Sequence, residues 1–180
     1  WNTWVSCEEN FDDGQIWETH PFGSKPPRKT VLGGDGGNYE AMATDNRDPM
    51  NPRFFITNDK DDGELRRFTP SAAVVHDALN GSGDHWSILS TPGVIEYLVL
   101  DPKNKTFSWT TDLKTGKKSA RKHFPFCEGI DFLDGTLYFV SKVLKEIFIL
   151  DLDHGTYIKD RTKTKEFTGQ PDAINFLGDN

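Results

Sequence analysis

The chain has 180 residues, 35% of them hydrophobic, 12% aromatic and 27% charged, an ordinary globular composition with enough length to bury a core. Its 28 acids outweigh 21 bases for a formal net charge of -7, which argues against a phosphate-backbone partner and so against nucleic acid. Two cysteines cannot make a disulfide framework, and no apolar run approaches the ~20 residues that a membrane helix requires.

Trp1–Asn10 (WNTWVSCEEN) reads as one β-strand that ends by delivering Cys7, Glu8 and Glu9. Side chains alternate along a strand, so Cys7 and Glu9 share one face and Glu8 takes the other. A soft sulfur ligand beside hard carboxylates is a donor set for metal ions, although Cys-Glu-Glu is not a closed metal signature. The competing reading is a buried cysteine with two solvated acids, or half of a disulfide. The chain opens on Trp1 in mid-strand, as expected of a piece of a domain or of a chain that has lost a leader.

Beyond it, short strands alternate with Gly, Pro, Asp and Asn clusters, the pattern of an all-β fold with almost no helical periodicity. Three segments repeat one layout of aromatic strand, turn and second strand. The first is WNTWVSCEE, turn NFDDG, then QIWETH. The second is Arg53–Asn58 (RFFITN), turn DKDDG, then ELRRFTP. The third is Leu137–Ser141 (LYFVS), turn KVLK, then EIFILDL. Two turns carry Asp-Gly, which supplies the positive φ of tight hairpins. Tyr39-Glu40-Ala41-Met42 precedes the second hairpin, Cys127-Glu128-Gly129-Ile130 precedes the third, and Pro171-Asp172-Ala173-Ile174 begins another copy. An acid entering a short strand, then a turn, then an aromatic strand, is how a β-propeller blade reads. The alternative is a β-sandwich.

The stretch 69–125 lengthens the spacing between copies. Within it Ser87–Leu89, Val94–Leu100 and Thr106–Thr110 read as strands, Asn80-Gly-Ser-Gly as a loop, and Lys114–Lys122 (KTGKKSARK) as a solvated basic excursion or a dock for an anionic partner. We therefore expect residues 1–180 to form part of a single β-propeller domain with both ends open. It would comprise about two to three blades of four-stranded antiparallel sheet, with edges that invite a protein partner.

Gly33-Gly34-Asp35-Gly36-Gly37 permits close backbone approach to a ligand but fits neither a phosphate loop nor a dinucleotide fingerprint. Asn58–Gly63 resembles a calcium loop, but Lys60 occupies a ligand position, so we read it as a hairpin turn. None of the five histidines forms an HExxH pair, and there is no Gly-x-Ser-x-Gly elbow, which disfavours serine hydrolase chemistry. Asn80-Gly81-Ser82 and Asn104-Lys105-Thr106 fit the glycosylation pattern, a weak pointer to a secretory route.

Trp1–Asn10, the glycine stretch leading to Glu40-Ala41, and FFITND…GELRRFTP at Phe54–Pro70 together resemble the PhoX-type alkaline phosphatase family. That resemblance implies a six-bladed β-propeller whose channel holds iron and calcium, exported from the cytoplasm (secreted, periplasmic or in an organelle lumen) and acting on phosphomonoesters. It implies Cys7 as an iron ligand and Glu40 as a metal-binding glutamate. Glu8 joins them as a metal ligand, with Glu9 and Glu128 as further candidates. Family members usually carry His before the glutamate matched to Glu40, where this chain has Tyr39. The departure keeps open a non-catalytic propeller acting as scaffold or accessory subunit of a larger complex. Under the metal reading Cys7 and Cys127 are free thiols, with Cys127 packed as a small hydrophobe. Under the structural reading they could bridge instead.

Overall fold

The computed structural model describes residues 3–81, 84–163 and 168–177. The expectations that fall on Trp1, on Ser82 and Gly83 of the Asn80 loop, and on the chain end after Leu177 lie outside them. Over the described residues the protein is all-β with three short helices inserted. In chain order the elements are β1 (Trp4–Cys7), β2 (Glu9–Gly14), β3 (Ile16–Thr19), β4 (Arg28–Lys29), β5 (Gly37–Asp45), β6 (Arg53–Asn58) and β7 (Arg66–Thr69). There follow α1 (Ala72–Leu79), α2 (Ser87–Ser90), β8 (Val94–Asp101), β9 (Thr106–Thr110), α3 (Leu113–His123), β10 (Cys127–Leu133), β11 (Thr136–Ser141), β12 (Glu146–Asp151) and β13 (Thr156–Arg161).

Strands β1, β3 and β4 form a small antiparallel sheet, and the other ten form one sheet in the order β10-β11-β12-β13-β9-β8-β7-β6-β5-β2. The long sheet is antiparallel throughout and is nearly two sheets, because β13 and β9 meet at a single pair, Thr156 with Thr106. It curls until β10 packs against β5 and β6. The second and third hairpins form as expected, β6 pairing with β7 and β11 with β12.

Alternation within β6 shows why the sheet is buried on both faces. Phe54 and Ile56 join a cluster with Ile16, Leu32, Tyr39 and Phe68. Phe55, pointing the other way, joins Leu98 and Leu100 against Phe139, Phe148 and Leu150 from the opposite arm of the curl. Phe139 and Phe148 are register partners whose rings stack at 4.8 Å, and Phe124 at the end of α3 meets both edge-on.

Several expectations need correction. The opening strand is not continuous: β1 pairs with β3, Cys7 opposite Ile16, but the chain breaks at Glu8. NFDDG is not a tight turn; it belongs to β2, which crosses to the long sheet and pairs with β5. Helical structure is also present. Ser87–Leu89 lies in α2 and not in a strand, since a short apolar run suits either state. Lys114–Lys122 lies within α3. The face that α3 buries is Gly116, Ser119 and Ala120, small residues with helical spacing but no apolar stripe. A Cβ on Gly116 would stand 2.3 Å from the Tyr97 Cβ, so only glycine lets the helix lie this close to β8. Asp112 caps the helix, its Oδ1 accepting from the Lys114 N–H at 3.1 Å, and Arg121, Lys122 and His123 complement the dipole at the other end. Among the described residues no helix is long and apolar enough to cross a membrane.

Candidate functional site

Two strands carry the same irregularity at the same point of the repeat. The pairing of β5 with β6 shifts register between Tyr39 and Met42, and that of β10 with β11 shifts between Cys127 and Ile130. Each shift brackets an acid, Glu40 in one and Glu128 in the other. A bulge re-aims side chains, and because β5 and β10 pack together, both acids are aimed at one point. Gly129 lets a third copy of the motif approach: its N–H donates to the Asp172 carbonyl at 2.7 Å, and a Cβ there would sit 2.6 Å from that oxygen. Glu40, Glu128 and Asp172 consequently offer carboxylate oxygens all within 4.8 Å of one another.

A second group shares Glu40 and adds Glu9 and Asp59, again within 4.8 Å. Glu9 comes from β2, and Asp59 from the β6–β7 turn, where its N–H donates to the Asn38 carbonyl at 2.7 Å. That turn closes so tightly that a Cβ on Gly63 would lie 1.7 Å from the Asn58 oxygen. Lys142, just past β11, holds the cluster from its side. Its Nζ donates to Asp59 Oδ2 at 2.5 Å and forms an ion pair with Glu128.

The five acids crowd one another. Burial raises the Glu40 carboxyl above the usual carboxylate range, and the Glu128 and Glu9 charges raise it further. Burial likewise raises Glu128, Asp59 adds to the effect, and Lys142 opposes it. Glu128 is 1% exposed and its carboxylate meets the Lys142 ammonium and the Glu40 carboxyl, while Asp59 Oδ1 has no hydrogen-bond partner. Buried acceptors left in this state are suited to a cation. The donor set is mainly hard carboxylate oxygen, which fits calcium, manganese or iron.

Cys7 stands next to this cluster and not inside either three-acid group. It lines a cavity of about 430 Å³ with Glu40, Met42, Trp4 and Phe54. Burial and the Glu40 charge push its thiol up to about 12. It is therefore a protonated thiol, which a metal ion would have to deprotonate for it to ligate. Both cysteines are free, the outcome tied above to the metal reading and not the bridge open to the structural one, and Cys127 is fully buried in the larger core cluster.

Glu8 is exposed and directed elsewhere, its Oε2 accepting the Gln15 N–H at 3.0 Å. The expectation of Glu8 as a metal ligand is therefore corrected: Cys7 and Glu9, on different strands either side of the break, act on Glu40 and Glu8 does not. Tyr39 faces away from Glu40 into the core. It is fully buried, its hydroxyl donates to the Gly33 carbonyl at 2.5 Å, and the Arg66 guanidinium lies 4.8 Å from its ring centre. The glycine stretch thereby serves to accept a tyrosine: a Cβ on Gly37 would stand 2.7 Å from the Tyr39 ring.

Sequence reasoning missed Asp59, Asp172 and Lys142 as members of the cluster. Asp172 had a usable signal, because Pro171-Asp172-Ala173-Ile174 repeats the sequence pattern around Glu40 and Glu128, although 171–177 form no strand. Asp59 had a weaker one in the calcium-loop likeness of its turn. Lys142 had none. No family model matches this chain, and no curated protein matches it.

Proposed function

We propose that the chain is the metal-holding sector of a PhoX-like β-propeller, with iron and calcium as its ions and phosphomonoesters as its substrate class. The observation that carries this reading is the convergence of the acids from three repeats, Glu40, Glu128 and Asp172, with Glu9 and Asp59 beside them. The propeller reading has its support in the β5 to β8 and β10 to β13 units, each an up-and-down antiparallel run that opens with a bulged strand, and in the packing of β5 beside β10.

Glu40, shared by both groups, would serve a cation in either. Glu9 and Asp59 would complete one, Glu128 and Asp172 the other, and Cys7, which shares a cavity with Glu40, would be a further ligand. Ions bound there supply Lewis acidity to a phosphoryl oxygen and lower the pKa of bound water. The protein's own part is to hold carboxylates at fixed separation on two bulged strands and to offer the adjoining cavity as room for an ester. Export to the cell exterior, periplasm or an organelle lumen belongs to the same proposal.

The test is metal analysis of natively purified full-length protein together with phosphate release from a generic phosphomonoester. We expect bound calcium and iron and metal-dependent release. Neither metal bound at saturating supply would defeat the reading. A second reading, a non-catalytic propeller serving as scaffold or accessory subunit, is favoured by Tyr39, whose turn into the core leaves no imidazole at that position. The exposed Trp4, Phe11 and Phe22 are compatible with a protein partner. Metal bound without any phosphate release would select it.

A further inference from the structure

We infer that Lys142 is a built-in counter-cation of the carboxylate cluster, holding Asp59 and Glu128 until it gives way to a divalent ion; this rests on the metal-holding reading above. Three observations carry it. The Lys142 ammonium contacts both acids, at 2.5 Å to Asp59 Oδ2 and in an ion pair with Glu128, so it stands where a cation bridging them would stand. The lysine is the most accessible of the three. Side-chain exposure is 8% for Asp59 and 1% for Glu128 against 29% for Lys142, which faces solvent most openly. Its backbone N–H is tied to the Phe126 carbonyl at 3.1 Å, so the side chain can swing without moving the strand.

Charge supplies the remaining argument. Asp59 and Glu128 set two carboxylates against the single Lys142 ammonium, so a divalent ion in its place would neutralise the pair more fully. Asp59 Oδ1 lacks a hydrogen-bond donor, so Lys142 neutralises the pair without saturating it. A single charge on a flexible stem is easier to displace than a bidentate arginine would be. In this arrangement the cluster stays folded without metal, and Lys142 moves outward on loading, where its charge faces whatever anion the ions hold.

The experiment titrates Mn²⁺ into chelator-stripped wild type, Lys142→Met and Lys142→Arg by calorimetry. A unit charge ~6 Å from a divalent ion opposes it by about 1.4 kcal/mol even at the dielectric of water, so Lys142→Met should bind at least about tenfold more tightly. Lys142→Arg should bind no more tightly than wild type. If Lys142→Met fails to fold, the wild type alone decides: acetic anhydride labelling of Lys142, read by peptide mass spectrometry, should rise several-fold at saturating Mn²⁺. Equal affinity of wild type and Lys142→Met, or labelling indifferent to Mn²⁺, overturns this inference and leaves the metal reading standing. No Mn²⁺ binding by any folded variant overturns both.

Discussion

Replacing Glu40 by glutamine should stabilise the metal-free protein at alkaline pH, although it removes a residue we place at the centre of the site. Burial and the neighbouring Glu128 and Glu9 push the Glu40 carboxyl from its ordinary 4.5 up to about 8. The full displacement would correspond to at most ~5 kcal/mol at ~1.36 kcal/mol per pH unit. Glu40 is only partly buried, and solvent screening brings the expected effect to ~1–3 kcal/mol. The sign follows from linkage. A carboxyl raised in the folded state contributes stability that is complete below the ordinary carboxylate range and is lost as pH rises toward about 8. Wild type in EDTA should therefore lose ~1–3 kcal/mol relative to Glu40→Gln between pH 5 and pH 9. In a chain of this length that amounts to roughly 4–8 °C in melting temperature at mid-range. Urea and thermal melts at the two pH values, with and without Mn²⁺, measure it. Under the metal reading, saturating Mn²⁺ reverses the order at pH 9 because wild type gains a ligand-bound state that the variant has weakened. If the two proteins show the same pH slope in EDTA, the carboxylates do not repel one another as the geometry requires, and the account of the cluster fails.

The thiols should be unreactive in the fold. At pH 8 iodoacetamide should alkylate Cys7 slowly, its pKa being near 12, and Cys127 hardly at all, whereas both should react readily in urea; rapid native alkylation of Cys7 would contradict its environment. Arg66→Met should cost ~3–5 kcal/mol in urea unfolding, because Glu64, 1% exposed at its side chain, loses the guanidinium it pairs with. Adding Glu64→Met should recover much of that loss, and a double variant no better than the single one would show that the Arg66 contacts with Tyr39 and the Leu32 carbonyl matter more. Gly116→Ala should cost ~1–3 kcal/mol, since its Cβ meets Tyr97 at 2.3 Å, and a variant as stable as wild type would mean that α3 is free to shift off β8.

The β-class of the fold, the second and third hairpins, β8 and β9 were legible in the sequence because each depends on neighbours close along the chain. Period-2 aromatic alternation and turn residues specify such elements locally. Val94–Leu100 and Thr106–Thr110 were found on that basis. Helix α3 was not, because its buried face is made of Gly116, Ser119 and Ala120. Their role depends on the shape of Tyr97 across the contact, and no spacing of apolar residues along the chain carries that shape. The break at Glu8 was likewise hidden, since nothing local tells a strand that its second half pairs with a different sheet.

The site divides in the same way. The repeated acid was visible at Glu40, Glu128 and Asp172, although 171–177 form no strand, whereas the expectation of Glu8 as a ligand ahead of Glu9 is reversed because the strand breaks between them. What the chain order could not express is convergence. Asp59 and Lys142 lie 83 residues apart, and Glu9 and Glu128 farther still. They meet because the long sheet curls until β10 lies on β5, and because two bulges turn one acid from each strand toward the gap. Tyr39 was legible as a departure, but only burial revealed that it belongs to the core. Local sequence determined which residues could be strands and which acids were singled out. Closure of the sheet, a property of every packed pair at once, decided which of those acids share a centre.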